Sequence, residues 1–126
     1  MLRTWGLRDM ANQMSYHDPR TYATPDAVRV GRVHTHADGW ADANLSWMKS
    51  GGYSTSAMVP GLAPPVMVVW GRQDRVLEPR YADMFREALP GARVEMVDEC
   101  GHVAHLEQPR ELLRLVTDFV GAPVAA

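Results

Sequence analysis

Val66-Met67-Val68-Val69-Trp70 is a continuous apolar run bounded by Pro65 and Gly71. Such a run is the signature of a strand covered on both faces, as in a parallel sheet. A polar turn follows, with Arg72, Gln73, Asp74 and Arg75. A helix of about ten residues then fits Pro79 to Leu89, with Pro at its start and Pro90-Gly91 as its stop. Arg93 to Val97 alternates polar and apolar like a second strand, and it ends in Asp98-Glu99-Cys100-Gly101-His102. A strand–helix–strand unit closes as a right-handed crossover, so the two strands are expected to run parallel. Asp74 and His102 then both lie just past the carboxyl ends of neighbouring strands, where open α/β sheets build their sites. A carboxylate there accepts a hydrogen bond from one imidazole nitrogen, fixing the tautomer and leaving the other nitrogen as a base.

At these residues the chain resembles a family. Trp70-Gly71-Arg72-Gln73-Asp74, then Gly101-His102, then His105-Leu106-Glu107-Gln108-Pro109, is similar to the C-terminal end of an α/β-hydrolase. In that superfamily the chain order is nucleophile, acid, histidine. The resemblance is specific from about Pro64 to Val120. It implies that Asp74 is the triad acid and His102 the catalytic histidine, with His105 structural or pocket-side. The expected fold class is therefore α/β: a helical cap-like segment over 1–59, then a β-α-β-α part of the hydrolase core over 60–126. The implied chemistry is two-step hydrolysis through a covalent intermediate. A Ser nucleophile would bring esters, thioesters, amides or certain C–C bonds; an Asp nucleophile would bring epoxides or haloalkanes.

The nucleophile itself is the departure. Ser15, Ser46, Ser50, Ser54 and Ser56 lack the flanking glycines of a G-x-S-x-G elbow. Gly51-Gly52-Tyr53-Ser54 is the nearest look-alike, and no apolar strand precedes it. An oxyanion-hole loop of the HG type is missing as well. The sequence reads as the back half of an enzyme, inactive alone. The alternative is a non-catalytic, hydrolase-like protein serving as a binding piece through an exposed sheet edge. An edge of that kind also predicts self-association and poor solubility of the isolated chain.

Charge narrows the partners. With 126 residues and a net charge of −2, no basic stripe is present for nucleic acid and no polybasic patch for anionic lipid. The expected partner is a small-molecule substrate, and no cofactor is implied. No apolar run approaches the ~20 residues of a membrane span. One cysteine excludes an internal disulfide and is compatible with a reducing compartment. The N-terminus does not read as a signal peptide. The resemblance leans toward plant- or cyanobacterial-type hydrolases, which implies a cytoplasmic or plastid protein.

Before the apolar run, three short helices are expected. Leu2, Trp5, Leu7, Met10 and Met14 give the first its apolar face, to about Tyr16. His17-Asp18-Pro19-Arg20 reads as a turn. Thr24-Pro25-Asp26 is a helix start, running to about His36, and a third helix fits Trp40 to Lys49 before Gly51-Gly52. Cap helices shape substrate pockets. Trp40, Trp47, Met48 and Tyr53, with Val103 beside the histidine, are candidates to line one; the alternative is that the cap aromatics pack cap against core.

Other chemistry-bearing residues are weighed against ordinary roles. His34 and His36, two apart on a helix, do not share a face, so a metal site is not expected. Cys100 reads as a small packed hydrophobe rather than a nucleophile. Asp98 and Glu99 are weak rivals of Asp74, and Asp74 could itself be a simple turn carboxylate. Glu78 and Glu107 are expected to support helix starts. Arg72 and Arg75 flank Asp74 and, at close range, would hold it ionised.

Overall fold

A computed structural model of the chain describes residues 3–52 and 55–121. The first helix, α1 (Trp5–Ser15), packs against α3 (Pro25–Arg32). The start of α3 is as the sequence reads: Thr24 Oγ1 accepts the Ala27 N–H at 3.2 Å, Pro25 opens the first turn and Asp26 follows. Val28 supplies its buried contact. The segment expected as a turn is instead a one-turn helix, α2 (Pro19–Tyr22). Asp18 caps it by accepting from the Arg20 N–H and the Thr21 hydroxyl, and Pro19 takes the first helical position, where its missing N–H costs nothing. Beyond Arg32 the chain tightens into a 3-10 turn, Val33–His36, so the expected helix ends one turn early. Gly39, at φ 73°, redirects the chain into α4 (Trp40–Lys49), which ends at Gly51 and Gly52 with φ 80° and 75°.

A second 3-10 turn (Ser56–Gly61) leads to strand β1 (Met67–Gly71). Helix α5 (Arg80–Ala88) and strand β2 (Arg93–Val97) follow, then the short α6 (Ala104–Glu107) and α7 (Pro109–Gly121). The strands are parallel, in register from Met67 opposite Arg93 to Gly71 opposite Val97. Their two faces take different helices. Met67 and Val69 pack with Val97, Cys100 and Leu115 of α7. On the other face Trp70 meets Phe85 of α5, ring centroids 6.1 Å apart, and Ala82 is fully buried. One helix per face covers the strands only in part. Val66 to Trp70 are half-buried rather than enclosed, which corrects the expectation drawn from their apolar run.

The parallel order carries the loops after β1 and β2 out on the same edge of the sheet. The first holds Asp74 and the second His102.

Candidate active site

The two loops are laced together by backbone. Arg72 N–H donates to the Val97 carbonyl and Gln73 N–H to the Cys100 carbonyl, both at 2.9 Å. Gln73 Oε1 in return accepts the Cys100 N–H at 3.0 Å. Glu99 turns the chain back through the left-handed region at φ 51°, and the Gln108 side chain donates to its carbonyl at 3.0 Å. Gly71 is where the loops touch. A Cβ there would stand 2.0 Å from the Gly101 carbonyl oxygen, so only glycine fits the crossing.

Within this frame Asp74 and His102 meet. His102 Nδ1 lies 2.9 Å from Asp74 Oδ2. The other carboxylate oxygen, Oδ1, accepts the N–H groups of Val76 and Leu77 at 2.8 and 2.9 Å. Asp74 is thus a turn carboxylate and the imidazole's partner at once, one oxygen for each task. Its side chain is 4% exposed and that of His102 38%, so the acid is shielded while the ring opens outward. Two N–H donors and the imidazole thus occupy both oxygens of a carboxylate withdrawn from water. A carboxylate on Nδ1 sets that nitrogen as the donor and leaves Nε2 as the acceptor. The arrangement provides an oriented base.

The arginines do not provide the ionising neighbour expected from sequence. Arg72 Nε pairs with Asp98 at 2.5 Å, out in solvent. Arg75 Nη2 turns away and donates to the carbonyls of Tyr16 at 2.7 Å and Gln13 at 3.2 Å. Glu78 stays near the start of α5, paired with Arg80 at 3.0 Å. Glu107 departs most from expectation. It is the last residue of α6, 6% exposed, and receives three backbone N–H groups: His17 at 2.7 Å, Asp18 at 3.2 Å and Gly101 at 2.6 Å. Burial, and after it this carboxylate, push the Tyr16 phenol up from its ordinary value.

The N-terminal helical segment therefore reaches the pair through the backbone of residues 13–18 and not through Trp40, Trp47 or Met48. Ser15 O accepts the His102 N–H at 2.7 Å. A Cβ on Gly101 would stand 2.6 Å from that same oxygen. Trp40 is half-buried against the His34 ring, with the Arg3 guanidinium 4.9 Å above it. Trp47 and Met48 are open to solvent, and α4 packs on the 3-10 turn Val33–His36. Tyr53 lies outside the described residues. Val103 is half-buried at the cap of α6 and His105 is exposed. Cys100 is fully buried, and its thiol is pushed up to about 11 by burial, then by Glu107 and Asp74. Among the described residues no three His, Cys, Asp or Glu side chains gather as a metal site. A concavity of about 740 Å³ lies at the other end of the sheet, among Leu62, Pro64, Val66, Leu89, Ala92 and Phe119.

Sequence reasoning named Asp74 and His102, which the structure brings together, and missed Gln73 and Glu107. A glutamine inside the Trp70–Asp74 motif is a signal for Gln73. Glu107 lies within the His105–Pro109 motif, but the role it takes there depends on backbone groups of residues 17, 18 and 101.

Comparison with known proteins gives this architecture a context. The model of the α/β hydrolase fold family matches residues 7–109. The chain is 26% identical over 119 residues to the alpha/beta hydrolase domain-containing protein VTE7 of Arabidopsis thaliana, covering 94% of this chain and 36% of that protein. It is 33% identical over 70 residues to human (Homo sapiens) monoacylglycerol lipase ABHD6, covering 56% of this chain and 21% of the lipase. Among solved structures, the meta-cleavage product hydrolase of Pseudomonas fluorescens aligns with a TM-score of 0.74 at 18% identity, over 93% of this chain and 45% of that one. The chain thus spans well under half the length of these relatives.

Proposed function

The chain belongs to the α/β hydrolase fold family, and from that premise we propose that it carries the acid and the base of a hydrolase acting through a covalent intermediate. The observation that supports this is the 2.9 Å bond from His102 Nδ1 to a buried carboxylate whose second oxygen is held by two N–H groups. The nucleophile comes from protein outside these residues. As a serine attacks the substrate carbonyl, its proton passes to His102 Nε2 while Asp74 steadies the imidazolium. The ring returns that proton to the leaving group, then takes one from the water that attacks the acyl-enzyme and hands it to the serine oxygen as the acid product departs. Carboxylic esters are the favoured substrates, because the relatives at 33% identity are monoacylglycerol lipases. C–C bonds and, with an Asp nucleophile, epoxides are the competing classes.

The test uses the native protein, tagged in its source cells and assayed on p-nitrophenyl butyrate. Turnover that His102→Ala lowers by on the order of 10⁶-fold is expected, while the 126 residues produced alone give none. Equal turnover by parent and His102→Ala overturns the assignment. A second reading, a non-catalytic interaction piece, draws on the two-stranded sheet, whose outer edges are open among the described residues. A native species of this chain's own size with no turnover selects it.

A further inference from the structure

Glu107 takes no part in the acid–histidine pair, yet its surroundings are as specific. Oε1 accepts from His17 and Asp18, and Oε2 from Gly101. All three partners are donors, so the site calls for a group that only accepts. A glutamine of the same shape offers one oxygen and one NH2, and whichever way it turns, its NH2 faces an N–H. The position is thus built for a carboxylate rather than for any polar side chain of that length.

What the carboxylate holds is the peptide next to His102. Gly101 must lack a side chain because the backbone of residues 15–17 passes within 2.6–2.9 Å of where a Cβ would be. Glycine also leaves the backbone free to pivot just before the imidazole. Both peptides around that pivot are pinned. The Gly101 N–H is fixed by Glu107 at 2.6 Å, and the His102 N–H by the Ser15 carbonyl at 2.7 Å. Glu107 and Ser15 are themselves joined through the neighbouring His17 N–H. Arg75, one residue past the acid, ties the acid loop to the same cap segment through Tyr16 and Gln13.

We infer that Glu107 is the positioning residue of His102: it clamps the Gly101 peptide to cap residues 17 and 18, so that Nδ1 meets Asp74 and Nε2 faces the reacting atoms. This rests on reading His102 as the base. It also makes the exit of α1 a fixed wall of the site rather than part of a moving lid.

The experiment compares tagged native parent, Glu107→Gln and His102→Ala on p-nitrophenyl butyrate, with active sites titrated so that unfolded molecules are not counted. Glu107→Gln is expected to lower kcat on the order of a hundredfold, the scale of a misplacement of about 1 Å, with KM unchanged. Hydrogen–deuterium exchange on the same proteins supplies a reading that needs no turnover. The amides of His17, Asp18, Gly101 and His102 are expected to exchange faster in Glu107→Gln, while those of Val68 and Glu95, paired between the two strands, hold. Parent kcat in Glu107→Gln, or exchange that quickens uniformly along the chain, overturns the clamp. If the parent shows no His102-dependent turnover, the hydrolase reading fails by itself and the exchange pattern alone decides the clamp.

Discussion

Substituting Gly71 by Ala tests whether the crossing of the two loops is as tight as the geometry requires. The added Cβ would lie 2.0 Å from the Gly101 oxygen, 2.5 Å from the Cys100 oxygen and 2.9 Å from the Cys100 carbonyl carbon. All three are backbone atoms, so no side chain can rotate away. An unforced carbon–oxygen contact is roughly 3.3 Å, which asks the histidine loop to retreat by roughly 1.3 Å. That movement breaks the bonds from Gln73 N–H to Cys100 O and from Cys100 N–H to Gln73 Oε1. Overpacking costs about 1–3 kcal/mol, and each lost bond adds about 1 kcal/mol. A loss of about 3 kcal/mol or more is expected. Gly31 in α3 is the matched control: nothing lies within 4 Å of its Cβ position, and Ala there should stabilise by about 0.5–1 kcal/mol. Urea unfolding followed by tryptophan fluorescence, at one low protein concentration, measures both. Gly71→Ala within about 0.5 kcal/mol of the parent, or both substitutions shifting the midpoint the same way, would refute the reasoning.

Asp74→Asn keeps an acceptor for the Val76 and Leu77 N–H groups but turns an NH2 toward His102, favouring the wrong tautomer. Esterase kcat of the native protein should fall by on the order of 10⁴-fold with little loss of stability, and unchanged kcat would remove Asp74 from the mechanism. The Cys100 thiol, raised from 9.0 to about 11, should resist iodoacetamide at pH 8 until the chain unfolds; rapid labelling of folded protein contradicts its burial. Because the folded state keeps this proton longer than the unfolded one, the associated stability is complete below pH 9.0 and declines as pH rises toward about 11. Across that window the urea midpoint of the parent should fall relative to that of Cys100→Ala, which lacks the thiol, and parallel midpoints would contradict the shift. The chain produced alone should elute from gel filtration as an associated species. A monomer with a sharp, cooperative thermal transition would show instead that the open strand edges are well managed.

The legible part of this fold is the part whose signals are local. The Thr24-Pro25 helix start and the Arg93–Val97 strand are set by neighbouring residues, and they fall where the sequence puts them. The parallel pairing follows from crossover handedness alone. Asp18-Pro19 was ambiguous because the same pair that makes a turn also caps a helix, and the Asp18 carboxylate settles it by taking the Arg20 N–H. Arg75 shows the limit more sharply. Adjacent to Asp74 in sequence, it spends its donors on the carbonyls of Tyr16 and Gln13, 59 and 62 residues away. Glu107 was illegible for the same reason. Expected to support a helix start, it instead accepts from main-chain N–H groups that carry no sequence signature.

Among the described residues, the contacts that orient the Asp74–His102 pair come from two segments of this chain. The carboxylate is held by N–H groups two and three positions along its own loop, and the histidine peptide by Ser15 and, through Gly101, by Glu107. None of this geometry waits for a nucleophile. On the hydrolase reading, the segment is therefore a preorganised half-site, to which the rest of the protein need add only a hydroxyl or carboxylate within reach of Nε2 and donors for the oxyanion. The division also explains why the cap's first helix ends where it does. Its last carbonyl and the two N–H groups beyond Tyr16 are spent on the histidine loop, so moving the end of α1 by one turn would release His102 and Glu107 together.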